Sequence, residues 1–154
     1  MKIAVGGDHK GFPLKAMLID RIRALGHDVT DFGCFDENPV DFPDIAGLVC
    51  NAILSGNAQR GIMFCGSGVG AAIACNKTAG IRAAVCHDLF TAHQCVEHDD
   101  VQVIAFGAQI IGYTAAFELI RLFLDAEFST DGDFRRRVSK LERMDAKRSI
   151  EAEQ

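Results

Sequence analysis

The stretch Gly61-Ile62-Met63-Phe64-Cys65-Gly66-Ser67-Gly68-Val69-Gly70 runs from an unbroken apolar segment into three alternating glycines. The small residues Ala71-Ala72-Ile73-Ala74-Cys75 follow, to about Lys77. A short apolar run bounded by turn residues reads as a buried strand. The glycines allow a tight turn, and the small residues after it predict a helix that packs closely. Strand, glycine turn and helix in that order define one half of a βαβ unit.

The same alternation extends outward in both directions. Upstream, Lys2–Gly6 reads as a buried strand followed by a glycine turn. Phe12, Leu14, Leu18, Ile19, Ile22 and Leu25 then recur at helical spacing until Gly26. Asp28–Phe32 is the next predicted strand, 33–43 a loop with two of the three prolines, and Ile45, Leu48, Val49, Ala52 and Ile53 mark a second helix. Downstream, strands are predicted at Arg82–Cys86 and Val101–Phe106, with a helix from Asp88 to Glu97 between them. Ala115–Phe128 forms a strongly amphipathic pattern and Phe134–Lys147 a more charged one. Five strands alternating with helices predict an α/β fold of three αβα layers. Its centre is a doubly wound, five-stranded parallel sheet of Rossmann-like type, because right-handed crossovers place helices on both faces. Residues 1–154 form a single domain on this reading, with about 129–150 as a C-terminal helical extension.

Composition excludes several classes of function. A net charge of −5 supplies no basic face for a phosphate backbone, so nucleic acid is set aside. The six cysteines show no CxxC pair and sit mostly in apolar runs, the pattern of reduced thiols in a cytoplasmic protein with no metal site. The N-terminal MKIAVGGDHKG turns to glycine and charge too early for a signal peptide. No apolar run reaches the roughly 20 residues that span a bilayer, so no membrane partner is expected.

In doubly wound sheets, ligands bind beyond the carboxyl ends of the strands. That rule selects 7–11, 65–70 and 86–88. At the second of these, main-chain N–H groups of the glycine turn converge at a helix N-terminus, where they stabilise a phosphate or a developing oxyanion. Cys65 stands at that terminus, and the helix dipole is expected to lower its pKa. A thiolate there acts as nucleophile or as general base. The plainer alternatives are a ligand-free turn and a buried core cysteine, the latter assumed for Cys34, Cys50, Cys75, Cys86 and Cys95. Asp8 and His9 follow the first strand at the ligand edge, and His98, Asp99 and Asp100 cluster between the fourth helix and fifth strand. His27, His87 and His93 are read as surface or hydrogen-bonded residues. Gly6-Gly7-Asp8-His9-Lys10-Gly11 lacks the GxGxxG spacing of a dinucleotide site, and no GxxxxGK[ST] loop occurs.

Several motifs now stand in register: Gly7-Asp8-His9-x-Gly11-Phe12-x-Leu14-Lys15, Asp41-Phe42-Pro43, the 65–70 loop, Asn76-Lys77-x-x-Gly80-Ile81-Arg82-Ala83 and Gly107-x-x-x-x-Gly112. With them the chain resembles ribose-5-phosphate isomerase B and the related galactose-6-phosphate and allose-6-phosphate isomerases, from Met1 to about Arg143. The resemblance implies an aldose–ketose isomerase acting on a small sugar phosphate of the ribose 5-phosphate/ribulose 5-phosphate type, through a cis-enediolate and without cofactor. It implies Cys65 as the base, Ser67 with the loop N–H groups of Gly66, Gly68, Val69 and Gly70 holding the enediolate, and His98 opening the sugar ring. It further implies substrate contacts from Asp8, His9, Phe42, Asp99, Gln109 and Arg137, and a homodimer or dimer of dimers whose sites are shared between subunits.

The departures concern the phosphate. Asp99 replaces a usual Asn and Phe42 a usual Tyr. Gln109 replaces a usual Arg, and Asp133-Phe134 replace Arg-His. Arg137, with Arg135 or Arg136 and His9, is what remains to bind a dianion. Two alternatives follow: isomerisation of a different or unphosphorylated sugar of four to six carbons, or a non-catalytic or heteromeric subunit. The last helix carries Phe134, Val138, Leu141 and Met144 at helical spacing beside Arg135, Arg136, Arg137, Lys140, Arg143, Lys147 and Arg148. That apolar stripe predicts packing or exchange across a dimer.

Overall fold

The structure is a computed structural model that describes the backbone of residues 1–152 and the side chains of residues 1–145. Lys147 and Arg148 of the predicted basic face lie outside the described side chains. The elements run β1 (Lys2–Gly7), α1 (Phe12–Ala24), β2 (Asp28–Asp31), α2 (Phe42–Leu54), β3 (Arg60–Cys65), α3 (Val69–Asn76), β4 (Ala83–Val85), α4 (Leu89–Asp99), β5 (Val103–Gly107), α5 (Tyr113–Asp125) and α6 (Gly132–Ala152). All strand pairs are parallel, in the order β2-β1-β3-β5-β4. The chain winds outward from β1 in one direction and from β3 in the other, so the topological switch point lies between them. That is where the crevice of such a sheet opens.

The alternation of side chains along the strands divides the core in two. Ile3, Val5, Ile62, Phe64, Ile104 and Phe106 face α1, α4 and α5, with Leu18, Ile22, Val96, Ile120 and Phe123 closing that layer. Ala4, Met63, Cys65, Val103 and Ala105 face α2 and α3, whose Val49, Cys50, Ala71 and Cys75 approach closely. Small residues on this second face bring α3 tight against β3, which sets the height of the loop joining them. Each large apolar side chain buried here contributes roughly 1.5–3 kcal/mol. No helix among the described residues is long and apolar enough to cross a membrane.

One charged pair lies inside this apolar frame. Lys15 is 1% exposed, and its ammonium donates to both carboxylate oxygens of Asp31 at 2.6 and 2.7 Å. Asp31 also accepts from the Gly33 N–H at 3.0 Å. This pair ties α1 to the end of β2 and so fixes the start of α1, which is the wall of the crevice.

Several boundaries differ from those predicted. Helix α4 continues through Asp99, so His98 and Asp99 occupy its last turn and not a loop. Asp100 then ends the helix in a left-handed conformation (φ 48°), and Arg82 holds it there through its carbonyl and a 2.6 Å ion pair. Helix α5 starts at Tyr113 and ends at Asp125, because Ala126 is extended; the Arg60 guanidinium takes the carbonyls of Phe123 and Ala126. Helix α6 packs on α4 of its own chain, with Val138 buried and Phe134 half-buried, while Leu141 and Met144 stay exposed.

Candidate active site

The crevice between β1 and β3 is built on the Asp8 side chain. Asp8 follows the last residue of β1, is 5% exposed, and accepts from the N–H groups of Lys10 (2.9 Å) and Gly11 (2.8 Å) through Oδ1. Those bonds fold the turn that launches α1. Its Oδ2 is left facing β3, where the Cys65 thiol donates to it at 3.0 Å. Gly11 cannot be anything larger, because a Cβ there would stand 2.1 Å from the Phe64 carbonyl oxygen. The β1–α1 turn therefore lies directly on the end of β3.

Beyond Cys65 the chain turns over the end of β5. Gly68 adopts φ +82° and presses on the main chain of Phe106, which a Cβ would approach to 3.0 Å. Only glycine combines that φ with that contact at low cost. The turn aims the N–H groups of Gly66 and Gly68 at the sulfur. Ser67 is exposed, with its hydroxyl accepting from the Val69 N–H at 3.3 Å. Phe42, at the start of α2, lays its ring on Gly70, where a Cβ would meet Cζ at 2.8 Å. The Gln109 N–H donates to the Gly66 carbonyl at 3.1 Å, and its side chain borders the same glycine. His9 accepts from the Val40 N–H through Nδ1 at 3.3 Å, which assigns its proton to Nε2.

The electrostatics overturn one expectation. The helix dipole was expected to lower the Cys65 pKa, but the thiol is pushed above its ordinary value. Burial is the largest cause, followed by the hydrogen bond to Asp8 and that carboxylate's charge. The Gly66 and Gly68 N–H groups favour the thiolate but are outweighed. The resting group is a thiol with its proton on the line to Asp8. The other cysteines are buried or half-buried thiols without disulfides among the described residues, as read from the sequence.

Asp8, His9, Phe42, Cys65, Gly66, Ser67, Gly68, Val69, Gly70 and Gln109 thus converge at one edge of the sheet. His98, Asp99 and Arg137 do not join them within the chain. Cys65 pairs with Gly107 at the carboxyl end of β5, whereas His98 precedes Val103 at its start. Four strand steps at about 3.3 Å each place the two levels roughly 13 Å apart along the strand direction. At the far level, the His98 ring stacks on Phe134 (3.8 Å, 17°). Arg137 lies over the other side chain of that pair, Phe134, at 5.5 Å, and 3.8 Å from Asp133.

Three residues of the region were not singled out in the sequence. Lys10 borders Gly66 beside Gln109. Phe134 carries the ring that stacks on His98, a contact not legible in the sequence, where it stands as a lost cation and as part of the apolar stripe. His87, read as a surface or hydrogen-bonded residue, does have a partner: its Nε2 accepts from the Gly107 N–H at 2.9 Å. Its position directly after β4 was the available signal, since the ligand-edge rule selected 86–88.

A parallel α/β sheet with an acid-bonded thiol and converging N–H groups at its switch point has the form of an α/β enzyme with its site in the crevice of the sheet. Residues 3–141 match the Ribose/Galactose Isomerase family. A D-erythrulose-4-phosphate isomerase of Pectobacterium atrosepticum is 43% identical over 135 residues, covering 86% of this chain and 88% of the relative. A ribose-5-P isomerase B of Listeria innocua is 39% identical over 147 residues, covering 96% and 99%. The solved ribose-5-phosphate isomerase B of Clostridium thermocellum superposes with a TM-score of 0.93 at 39% identity, covering 96% of this chain and 99% of that one. The chain belongs to the ribose/galactose isomerase family, and it is an aldose–ketose isomerase.

Proposed function

We propose that the protein interconverts a five-carbon aldose phosphate and its 2-ketose isomer, ribose 5-phosphate and ribulose 5-phosphate, with Cys65 carrying the proton between C2 and C1. The observation that carries this reading is the 3.0 Å bond from the Cys65 thiol to Asp8 beneath the Gly66 and Gly68 N–H groups. Asp8 accepts the thiol proton as substrate binds. The thiolate removes the proton on C2 while the C1 oxygen gains negative charge, which the loop N–H groups and the Ser67 hydroxyl hold. The hydroxyl proton passes from O2 to O1, and Cys65 returns its proton to C1. Asp8 then gives its proton back to sulfur. Electrons shift only between C1 and C2 of the substrate, so the reaction needs no redox cofactor.

His98 opens the sugar ring in this account, and its place at the far level of the sheet supports a site completed by a second copy of the chain. Asp99 and Arg137 would enter with it. The exposed Leu141 and Met144 of α6, with Val69, Ile73, Leu89 and Phe90 elsewhere, supply apolar surface for such an assembly. Free thiols throughout the chain suit the reducing cytoplasm.

A four-carbon sugar phosphate is the second reading. It is favoured by the 43% identity to a relative named for D-erythrulose 4-phosphate and by the neutral Gln109. A tetrose 4-phosphate has its O4 esterified and closes no furanose ring, so it asks nothing of His98. The test is proton exchange at C1 and C2 in D2O, followed by NMR for both phosphates and the unphosphorylated sugars. Cys65→Ala is expected to abolish exchange while the fold persists; near-normal exchange in that variant refutes the mechanism. A kcat/KM at least tenfold higher for the tetrose selects the second reading.

A further inference from the structure

Beside the thiol, the β1–α1 and β5–α5 loops enclose a cavity of about 520 Å³. His9, Lys10, Glu37, Gln109 and Tyr113 give it polar groups, over an apolar floor that includes Met17. Its size lies within the range of small-ligand sites. Among the described residues that line it, Lys10 is the only lysine or arginine. The Lys10 side chain is exposed, and its ammonium has no hydrogen bond or ion pair with any described residue. Glu37 shares the cavity without bonding it.

Lys10 and Gln109 reach the same space from two loops. A Cβ built on Gly66 would meet Gln109 Oε1 at 3.3 Å and Lys10 Cβ at 3.5 Å. Both side chains therefore flank the residue next to the thiol. The neutral amide at Gln109 cannot balance a dianion, whereas the ammonium at Lys10 can. Its root is fixed: the Lys10 N–H donates to Asp8 Oδ1, while the thiol donates to Oδ2 of the same carboxylate. One side chain thus sets both the base and the origin of the cation. Beyond that root, the four-carbon stem is flexible and carries a compact, three-donor charge.

We propose that Lys10 binds the substrate's phosphate, acting with His9 and Gln109 in this cavity. The proposal rests on the sugar-phosphate reading of the site. It adds to the phosphate grip a cation from the same chain that carries Cys65, beside any contributed by Arg137 of a second copy.

The experiment compares the full-length protein with Lys10→Ala and Lys10→Arg. Inorganic phosphate binding is measured by calorimetry, without turnover, and KM and kcat are measured with sugar phosphates. An ion-paired hydrogen bond to phosphate predicts a rise of about tenfold or more in the phosphate Kd and in KM for Lys10→Ala. Lys10→Arg is expected to stay within about threefold of the parent protein, since it keeps the charge. Alkylation of Cys65 should proceed equally in all three proteins, which a disturbed fold would not allow. Unchanged phosphate Kd and KM in Lys10→Ala overturn the proposal, as does a parent protein that binds no phosphate at millimolar concentration. A parent protein that binds phosphate through Lys10 yet isomerises no sugar phosphate upholds Lys10 and refutes the functional reading.

Discussion

Replacing Asp8 by Asn keeps the shape of the side chain and removes its charge, which separates its two tasks. Oδ1 still accepts from the N–H groups of Lys10 and Gly11, at 2.9 and 2.8 Å in the native protein. A hydrogen bond to a charged group contributes about 1.5–3 kcal/mol and a neutral one about 1, so the two together weaken by about 1–4 kcal/mol. For a chain of this length each kcal/mol moves Tm by about 2–4 °C, which predicts a fall of roughly 2–16 °C. The other oxygen becomes an amide that donates to sulfur. Asp8 is the second cause, after burial, that raises the Cys65 pKa, so Asp8→Asn should move thiol titration toward lower pH. Turnover nevertheless should drop by about 100-fold at neutral pH, since general-base assistance is of that order and the thiol has lost its proton acceptor. Activity of the variant should then climb with pH as hydroxide deprotonates the thiol directly. Iodoacetamide alkylation against pH reads the titration, and isomerase rates on the same samples read the second effect. A titration midpoint that stays in place or rises, or a kcat near that of the parent, would refute the assigned role of Asp8.

Four further outcomes are expected. Lys15→Met leaves Asp31 uncompensated and should cost about 3 kcal/mol in urea denaturation, the low end for a broken buried pair because Asp31 retains 18% side-chain exposure; adding Asp31→Leu should recover part of that loss. Gly68→Ala forces a side chain into φ +82° against Phe106 and should destabilise the fold by about 1–3 kcal/mol while lowering kcat. The raised Cys65 pKa means the native state holds this proton more tightly than the unfolded chain. Its contribution to stability is complete below the ordinary thiol value of 9.0 and is lost as pH rises through the folded value, so Cys65→Ala should flatten the alkaline decline in a urea series. Mixing inactive Cys65→Ala with inactive His98→Ala should restore about a quarter of parental activity if random dimers form, because half of them carry one intact shared site; no recovery after refolding together refutes the shared site.

The strands were legible because a fully buried parallel sheet leaves continuous apolar runs between glycine turns, as at 61–65 and 2–6. Boundaries shifted where a tertiary contact ended an element. Arg82 fixes the left-handed Asp100 and so extends α4 over His98 and Asp99, and Arg60 stops α5 short by taking its last carbonyls. The 65–70 loop was legible for a similar local reason, since Gly66, Gly68 and Gly70 each answer a specific close approach. The thiol's pKa direction was not. A helix N-terminus is visible in sequence, but the burial and the carboxylate that outweigh it come from β1, some 57 positions away in the chain. Lys10 escaped notice for the opposite reason. A single exposed lysine has no pattern, and only the cavity beside Gly66 gives it meaning.

The protonated resting state of Cys65 bears on how the site reacts with everything except its substrate. A standing thiolate at the mouth of a crevice is open to oxidation and alkylation, since reactivity follows the ionised fraction. Here burial and Asp8 hold the sulfur neutral, while Gly66 and Gly68 stand ready to stabilise its charge. In the proposed mechanism the balance turns when a bound sugar places an acidic carbon and a polar carbonyl over the thiol. The proton can then move the 3.0 Å span to Asp8, and the N–H groups favour the new charge. On the proposed mechanism the base is generated by a short transfer inside this network rather than stored. The same carboxylate positions Lys10 and the start of α1, so the proposed phosphate contact and the proposed ionisation of the thiol depend on one side chain.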